Sequence, residues 1–258
     1  GSAMVEIKQA ATLILLRDAK DGPPDILMVE RGRHLAFAAG NMVFPGGRVD
    51  ADDGDIAADH DLIRPGPAIE AADLAARIAA IRETIEEVGL APAIEGSIDP
   101  DVTAQIRDAL AEGRLFSDLL RQFGLRIDPY RLYPFARWLP DGAPKRAFDT
   151  RFYVAQAPDQ GEAVADGHES ASCHWATAAG HLARADARSH PIIFPTRRNL
   201  ERVAQVASFE AAVAFVGRYA IDTVSPWAED RDGVPWLRIP DHLGYPVTGE
   251  PMANVERG

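Results

Sequence analysis

The sequence predicts an α/β fold: an α/β/α sandwich with a mixed sheet and extra helical segments. Two observations carry that prediction. Apolar, β-rich runs at residues 10–17, 26–31, 131–138 and 147–155 are bounded by turn-forming residues. Between the early and late runs, Leu74, Ile78, Ile81, Ile85 and Val88 recur at helical spacing. Strands interleaved with helices in a chain of 258 residues pack as layers on a sheet.

The first two strands, residues 10–17 and 26–31, are joined through Asp21-Gly22-Pro23-Pro24. Residues 42–44 form a short strand that runs into Pro45-Gly46-Gly47. Residues 50–67, rich in Asp, Gly and Pro, read as a solvated structural insert; their acids lack the alternation of a calcium loop. The long helix covers residues 69–88, and Gly89 is placed to cap its C-terminus. Residues 103–112 and 116–123 are two added helices. Strands at 131–138 and 147–155 flank a turn at Pro140-Asp141-Gly142, and residues 172–176 form another short strand. Helices follow at 177–184, 195–207 and 209–219, and the tail, 222–258, reads as an irregular surface wrap. All of this is read as one domain over residues 5–258, with the insert at 50–67, a helical addition at 100–124 and C-terminal segments at 195–258. Gly1-Ser2-Ala3-Met4 reads as a cloning remnant.

A 47% hydrophobic composition is enough for a sizeable core. The net charge of −12 argues against polymeric nucleic acid or an anionic membrane as partner, and no apolar run reaches spanning length. A small molecule is the expected partner and the cytoplasm the expected compartment. The single cysteine, Cys173, excludes an internal disulfide and reads as a small residue buried in a strand. The added helices would serve a bulky substrate or a homodimer contact.

The chemistry concentrates in Arg82-Glu83-Thr84-Ile85-Glu86-Glu87-Val88-Gly89-Leu90. Glu83, Glu86 and Glu87 share about one third of the helix circumference, opposite the apolar stripe. Like charges at this spacing destabilise a helix slightly, and a cation between them reverses the sign. Oxygen ligands of high charge suit a hard divalent ion, Mg²⁺ or Mn²⁺. Arg82, four residues before Glu86, is placed to hold that carboxylate. Upstream, Phe44-Pro45-Gly46-Gly47 is a turn whose glycines let backbone approach a ligand.

Turn and helix together resemble the Nudix box, a glycine followed by a helix ending in Arg-Glu-x-x-Glu-Glu-x-Gly. This chain supplies Gly47, then Arg82, Glu83, Glu86, Glu87, Gly89 and Leu90. Gly47 and Arg82 stand 35 residues apart, so the box is split by an insert. Counted back from Arg82, the box's early glutamate falls on Leu74, with Asp73 or Glu70 as substitutes. The split box, the run from Phe37 to Gly47 and Ala80-Ile81-Arg82-Glu83-Thr84 look like the peroxisomal coenzyme A diphosphatase branch and its bacterial relatives. Trp138-Leu139-Pro140, the following Arg146 to Tyr153, Pro195-Thr196 and Ile239-Pro240-Asp241 are similar to that group as well.

The resemblance implies metal-dependent hydrolysis of a pyrophosphate bond in a nucleoside-diphosphate-linked small molecule, coenzyme A or acyl-coenzyme A among them. ADP-ribose, dinucleotides and nucleoside triphosphates are alternative substrates of the same chemistry, and a ligand-sensing module without turnover is a third reading. It also implies metal-facing roles for Glu83, Glu86, Glu87 and the Gly46 carbonyl. Catalytic roles fall to Glu86, Arg82 and a general base, either a box glutamate or one from a later loop. Of Glu162, Asp166, His168 and Glu169, the preferred loop residue is Glu169. Leu27, Arg31, Gly40 and Phe44 to Gly47 fit the spacing of a coenzyme A-directed motif, although Ala36 stands where a second arginine belongs. Arg31 and Arg33 are the candidate phosphate clamp. Trp138, Phe148 and Tyr153 read as core aromatics or, less readily, an adenine platform. Asp149 and Arg151 share a strand face, where they are placed to pair.

Overall fold

The computed structural model describes residues 6–140, 146–159 and 161–255. In chain order the elements are β1 (Glu6–Arg17), β2 (Asp25–Arg31), β3 (Met42–Val43), β4 (Gly46–Arg48), α1 (Ala51–Ala57), α2 (Ala71–Val88), β5 (Ile94–Glu95), α3 (Pro100–Ala111) and α4 (Phe116–Gln122). There follow β6 (Arg126–Ile127), β7 (Tyr133–Trp138), β8 (Arg146–Gln156), β9 (Ser170–Thr177), α5 (Ala178–Asp186), α6 (Phe194–Val203) and α7 (Phe209–Val216). The chain ends with β10 (Thr223–Val224), β11 (Trp227–Arg231), β12 (Val234–Arg238), β13 (Gly249–Pro251) and α8 (Met252–Val255).

The central sheet has the order β10-β7-β8-β1-β2-β3, with β4 also on β1 and β9 also on β2. β8 runs parallel to β1 and β10 parallel to β7, while the other pairs are antiparallel, so the sheet is mixed as predicted. Leu13, Ile14, Leu15 and Leu16 of β1 are all fully buried. Leu13 and Leu15 enter the core under α2, α3 and α4, and Ile14 and Leu16 enter the core under α5, α6 and α7. A strand covered on both faces reads as an unbroken apolar run, which is what β1 shows.

One detail of the sheet creates the site. β1 and β2 pair only at Leu16↔Ile26 and Arg17↔Asp25, then diverge. Residues 42–48 fill the split: β3 pairs with β2 at Val29 and Glu30, and β4 pairs with β1 from Ala10 to Thr12. The Leu13 N–H closes the junction on the Pro45 carbonyl at 2.8 Å.

Three expectations are corrected. The insert is not simply a solvated loop: it contains α1, with Ile56 and Asp53 fully buried. The tail is not irregular. Its Asp232-Gly233 pair, both at positive φ, makes a two-residue hairpin between β11 and β12, to which β13 adds a third strand. Leu243 and Tyr245 from the same tail enter the second core, where the buried Arg202 donates to the Leu243 carbonyl at 2.9 Å. Finally, Asp149 pairs with Arg137, at 2.9 and 2.6 Å, rather than with Arg151, whose Nε has no hydrogen-bond partner. Trp138 and Tyr153 are core residues, and Phe148 is exposed. Part of the predicted turn, Asp141-Gly142, and residues 1–4 lie outside the described residues.

Candidate active site

α2 carries the acids. Gly89, at φ +70°, takes the left-handed conformation that ends the helix, and its N–H bonds the Ile85 carbonyl at 3.0 Å. The apolar stripe Ile78, Ile81, Ile85 and Val88 is fully buried against the sheet, which turns the acidic face toward β4. There the glycine turn lies directly on the carboxylates. A Cβ on Gly47 would sit 2.5 Å from Glu83 Oε1, and one on Gly46 would sit 2.9 Å from the Thr12 Cα. The Gly46 N–H donates to Glu87 Oε2 at 3.3 Å. Only glycines allow this approach.

Glu83, Glu87 and Glu169 converge, each offering a carboxylate oxygen within 4.8 Å of the others. Burial, opposed by Arg82 and reinforced by Glu86 and Glu169, leaves the Glu83 carboxyl pushed up to about 8. Burial raises Glu87 well above the ordinary carboxylate range, Glu83 adds to the rise, and the Gly46 N–H and Arg31 oppose it. Two nearly buried acids facing a third are strained while ionised and uncompensated. A hard divalent cation supplies the missing charge, so this donor set fits Mg²⁺ or Mn²⁺.

Glu86 stands apart from that trio. Its carboxylate accepts from Arg82 Nη1 at 3.0 Å and is partly open to solvent. Burial raises it, Arg82 lowers it, and Glu169 and Asp50 raise it again.

Arg82 is the hub of the arrangement. It is buried, and its guanidinium donates to both Asp53 oxygens, to Glu83 Oε1, to Glu86 Oε2 and to the Arg48 carbonyl, all at 2.9–3.0 Å. Burial disfavours its charge, but Asp53, then Glu83 and Glu86, more than offset this and hold it well above the ordinary value. Burial pushes Asp53 up against the pull of Arg82. The two directions favour different outcomes, and the two-bond fork decides for an ion pair. Sequence reasoning missed Asp53. Counting the box forward from Gly47, rather than back from Arg82, places the early acid on Asp53. The extra residues therefore follow that acid instead of preceding it. Leu74 packs into the first core, and Asp73 is engaged by Arg77 at 3.0 and 3.1 Å and by the Tyr153 hydroxyl at 2.6 Å.

Glu169 is delivered by a short, tightly bonded loop. Asp166 Oδ1 accepts from the N–H groups of His168 and Ser170, at 2.7 and 3.0 Å. The Gly32 N–H donates to the Glu169 carbonyl at 2.9 Å, and Ser170 Oγ donates to the Glu87 carbonyl at 2.8 Å. Glu162 is exposed. Arg31 lies close enough to Glu87 to lower it, and its Nε donates to the Phe37 carbonyl at 3.0 Å. Arg33 is exposed and reaches Glu30 only at 3.8 Å. The exposed Phe37 lies on the same loop as His34, whose ring centroid is 5.0 Å from that of His168. Cys173 is on β9, and burial raises its thiol to about 11, away from reactivity.

No protein-family model matches the chain. Among solved structures, a Nudix hydrolase from Alicyclobacillus acidocaldarius superposes with a TM-score of 0.72 at 29% identity, over 82% of this chain and 97% of that one. The chain is a hydrolase with the fold of the Nudix enzymes. Other similar structures are a MutT Nudix hydrolase from Burkholderia pseudomallei (TM-score 0.42, 18% identity, 76% of this chain and 97% of that one) and a C. elegans Ap4A hydrolase binary complex (TM-score 0.39, 14% identity, 75% and 92%). Among the described residues, no helix is long and apolar enough to cross a membrane.

Proposed function

We propose that this chain is a Nudix-family, metal-dependent diphosphatase cleaving the pyrophosphate bond of a nucleoside-diphosphate-linked small molecule, with coenzyme A or acyl-coenzyme A as the leading substrates. The observation that carries the reading is the meeting of Glu83, Glu87 and Glu169 beside the Gly46-Gly47 turn. Divalent ions held by these three acids would neutralise the diphosphate and make water a better nucleophile. The remaining roles belong to the chain. Arg82 fixes Glu83 and Glu86 relative to one another. Glu86, partly open to solvent and bonded to Arg82 on one oxygen, is a proton acceptor for the attacking water. Glu169 is the second candidate for that role, because it comes from a loop outside the helix that carries the other acids. Arg31 next to Glu87 is placed to meet a substrate phosphate.

The coenzyme A preference is supported by the split box and by Arg31, whose loop is pinned closed by Gly40 N–H to the Arg31 carbonyl at 3.0 Å and Arg31 N–H to the Asn41 carbonyl at 2.8 Å. The test is hydrolysis of coenzyme A, an acyl-coenzyme A, ADP-ribose, NADH, diadenosine polyphosphates and nucleoside triphosphates with Mg²⁺ and with Mn²⁺, products identified by mass. 3′,5′-ADP and phosphopantetheine, lost on adding EDTA, are the expected products. Preferred cleavage of ADP-ribose or a dinucleotide would replace the substrate and keep the chemistry. Tight binding without turnover would replace the chemistry with sensing.

A further inference from the structure

The last turn of α2 presents backbone carbonyls that the helix itself cannot satisfy. Arg107, from α3, meets two of them: its Nε donates to the Glu86 carbonyl and its Nη2 to the Glu87 carbonyl, both at 3.2 Å. The same Nη2 donates to the Val164 carbonyl at 2.7 Å. Val164 lies in the segment that leads to Glu169, and its own N–H donates to the Val88 carbonyl at 2.9 Å. One guanidinium therefore bridges the end of the helix that carries Glu83 and Glu87 to the segment that carries Glu169. These acids come from parts of the chain 82 residues apart (Glu87 and Glu169), and nothing in local sequence sets their separation.

We propose that Arg107 is a positioning residue for the three-carboxylate site, and that α3 is present to deliver it. The proposal rests on the reading of Glu83, Glu87 and Glu169 as a metal site. Three features suit Arg107 to the task. A planar fork with several donors can bond carbonyls from two segments at once, which an ammonium on a flexible stem does less well. Its charge lies at the negative end of the α2 dipole. It also occupies space kept open by Gly89, where a Cβ would lie 2.9 Å from Arg107 Nη1. The box glycine thus ends the helix and admits the arginine that ties this end to the acid loop. This gives α3 a role in the site itself.

The experiment titrates Mn²⁺ into the purified full chain, reading free ion by electron paramagnetic resonance, below the melting temperature of each variant. Arg107→Met keeps the stem and removes the fork; Leu110→Ala damages the packing of the same helix, since Leu110 is buried in the first core. Arg107→Met is expected to weaken Mn²⁺ binding about tenfold or more, the scale seen for residues that orient ligands. Leu110→Ala is expected to lower the melting temperature while leaving Mn²⁺ affinity within about twofold, and Arg107→Lys is expected to fall between wild type and Met. Should Arg107→Met not fold, Arg107→Lys answers the same question. Unchanged Mn²⁺ affinity in the Arg107 variants, or equal weakening in Leu110→Ala, would overturn the proposal and leave the metal site standing. Absence of Mn²⁺ binding by the wild-type chain would instead overturn the metal reading, and the proposal with it.

Discussion

Both oxygens of Asp53 accept from Arg82, Nε at 3.0 Å and Nη2 at 2.9 Å, in a fully buried fork. Asp53 stands just before the residues that split the box, and Arg82 on the helix that follows them. The fork leaves Arg82 Nη1 free to bond Glu83 and Glu86, and so transmits the position of α1 to the acidic face. Asp53 also accepts from the Asp50 N–H at 2.8 Å, which closes the first turn of α1.

Asp53→Asn should therefore do two things. Removing one member of a buried ion pair costs about 3–5 kcal/mol, read as a lower denaturation midpoint with an unchanged slope. With its fork gone, Arg82 also loses its fixed orientation toward Glu86, so kcat should fall more than KM changes. A stable, fully active Asp53→Asn protein would show that the pair is incidental.

Gly47→Ala isolates the glycine turn from the acids. Gly47 has no positive φ, so any cost comes from space: the new Cβ would lie 2.5 Å from Glu83 Oε1. Either the carboxylate or the turn must shift, and a misplacement of about 1 Å in a site costs about 10²-fold in rate. Circular dichroism should be unchanged while turnover falls by that order. Wild-type turnover would mean that Glu83 can move aside without consequence.

How much of this was legible depends on the range of the signal. β1, β2 and α2 were readable because burial on both sheet faces, or on one helix face, imposes a period that sequence preserves. Glu83 and Glu87 were readable as an i, i+4 pair. Glu169 joins them from 82 residues away, and only family likeness pointed to it. Asp53 was hidden because an Asp-Gly-rich stretch has the composition of a solvated loop, and burial of one acid leaves no periodic trace. Arg107 looks like any cation on an amphipathic helix, since its partners are carbonyls and carbonyls have no residue identity. The tail hairpin was different: Asp232-Gly233 between Arg231 and Val234 is a strong turn signal, and the prolines nearby obscured it.

Glu86 and Glu87 are adjacent, yet the structure separates what their amides should do. Glu86→Gln keeps the shape of the residue bonded to Arg82 and should cost at least about 10²-fold in kcat with Mn²⁺ affinity little changed, as for other proton-transfer groups. Glu87→Gln removes a nearly buried charge from among its like-charged neighbours. It should stabilise the metal-free protein by about 1 kcal/mol while weakening Mn²⁺ binding. Thermal denaturation with EDTA and with Mn²⁺ separates the two effects. A Glu86→Gln enzyme with wild-type turnover would remove Glu86 from the mechanism, and a Glu87→Gln chain that binds Mn²⁺ normally would remove Glu87 from the ligand set.

The same raised carboxyls set a pH dependence whose sign changes with metal. Glu83 goes from an ordinary value of 4.5 to about 8 in the folded chain, chiefly through burial. A carboxyl raised on folding contributes stability that is complete below 4.5 and is lost as pH rises through about 8. Glu87 shifts in the same direction. Metal-free protein should thus melt at falling temperature between about pH 5 and about pH 8. Metal ions require the ionised carboxylates, so Mn²⁺ affinity should rise over the same interval and the decline should disappear when Mn²⁺ is saturating. Melting curves at each pH, with EDTA or with Mn²⁺, test this directly. A metal-free protein that gains stability from pH 5 to pH 8 would mean that Glu83 and Glu87 are already compensated inside the fold, leaving no charge deficit for a cation to fill.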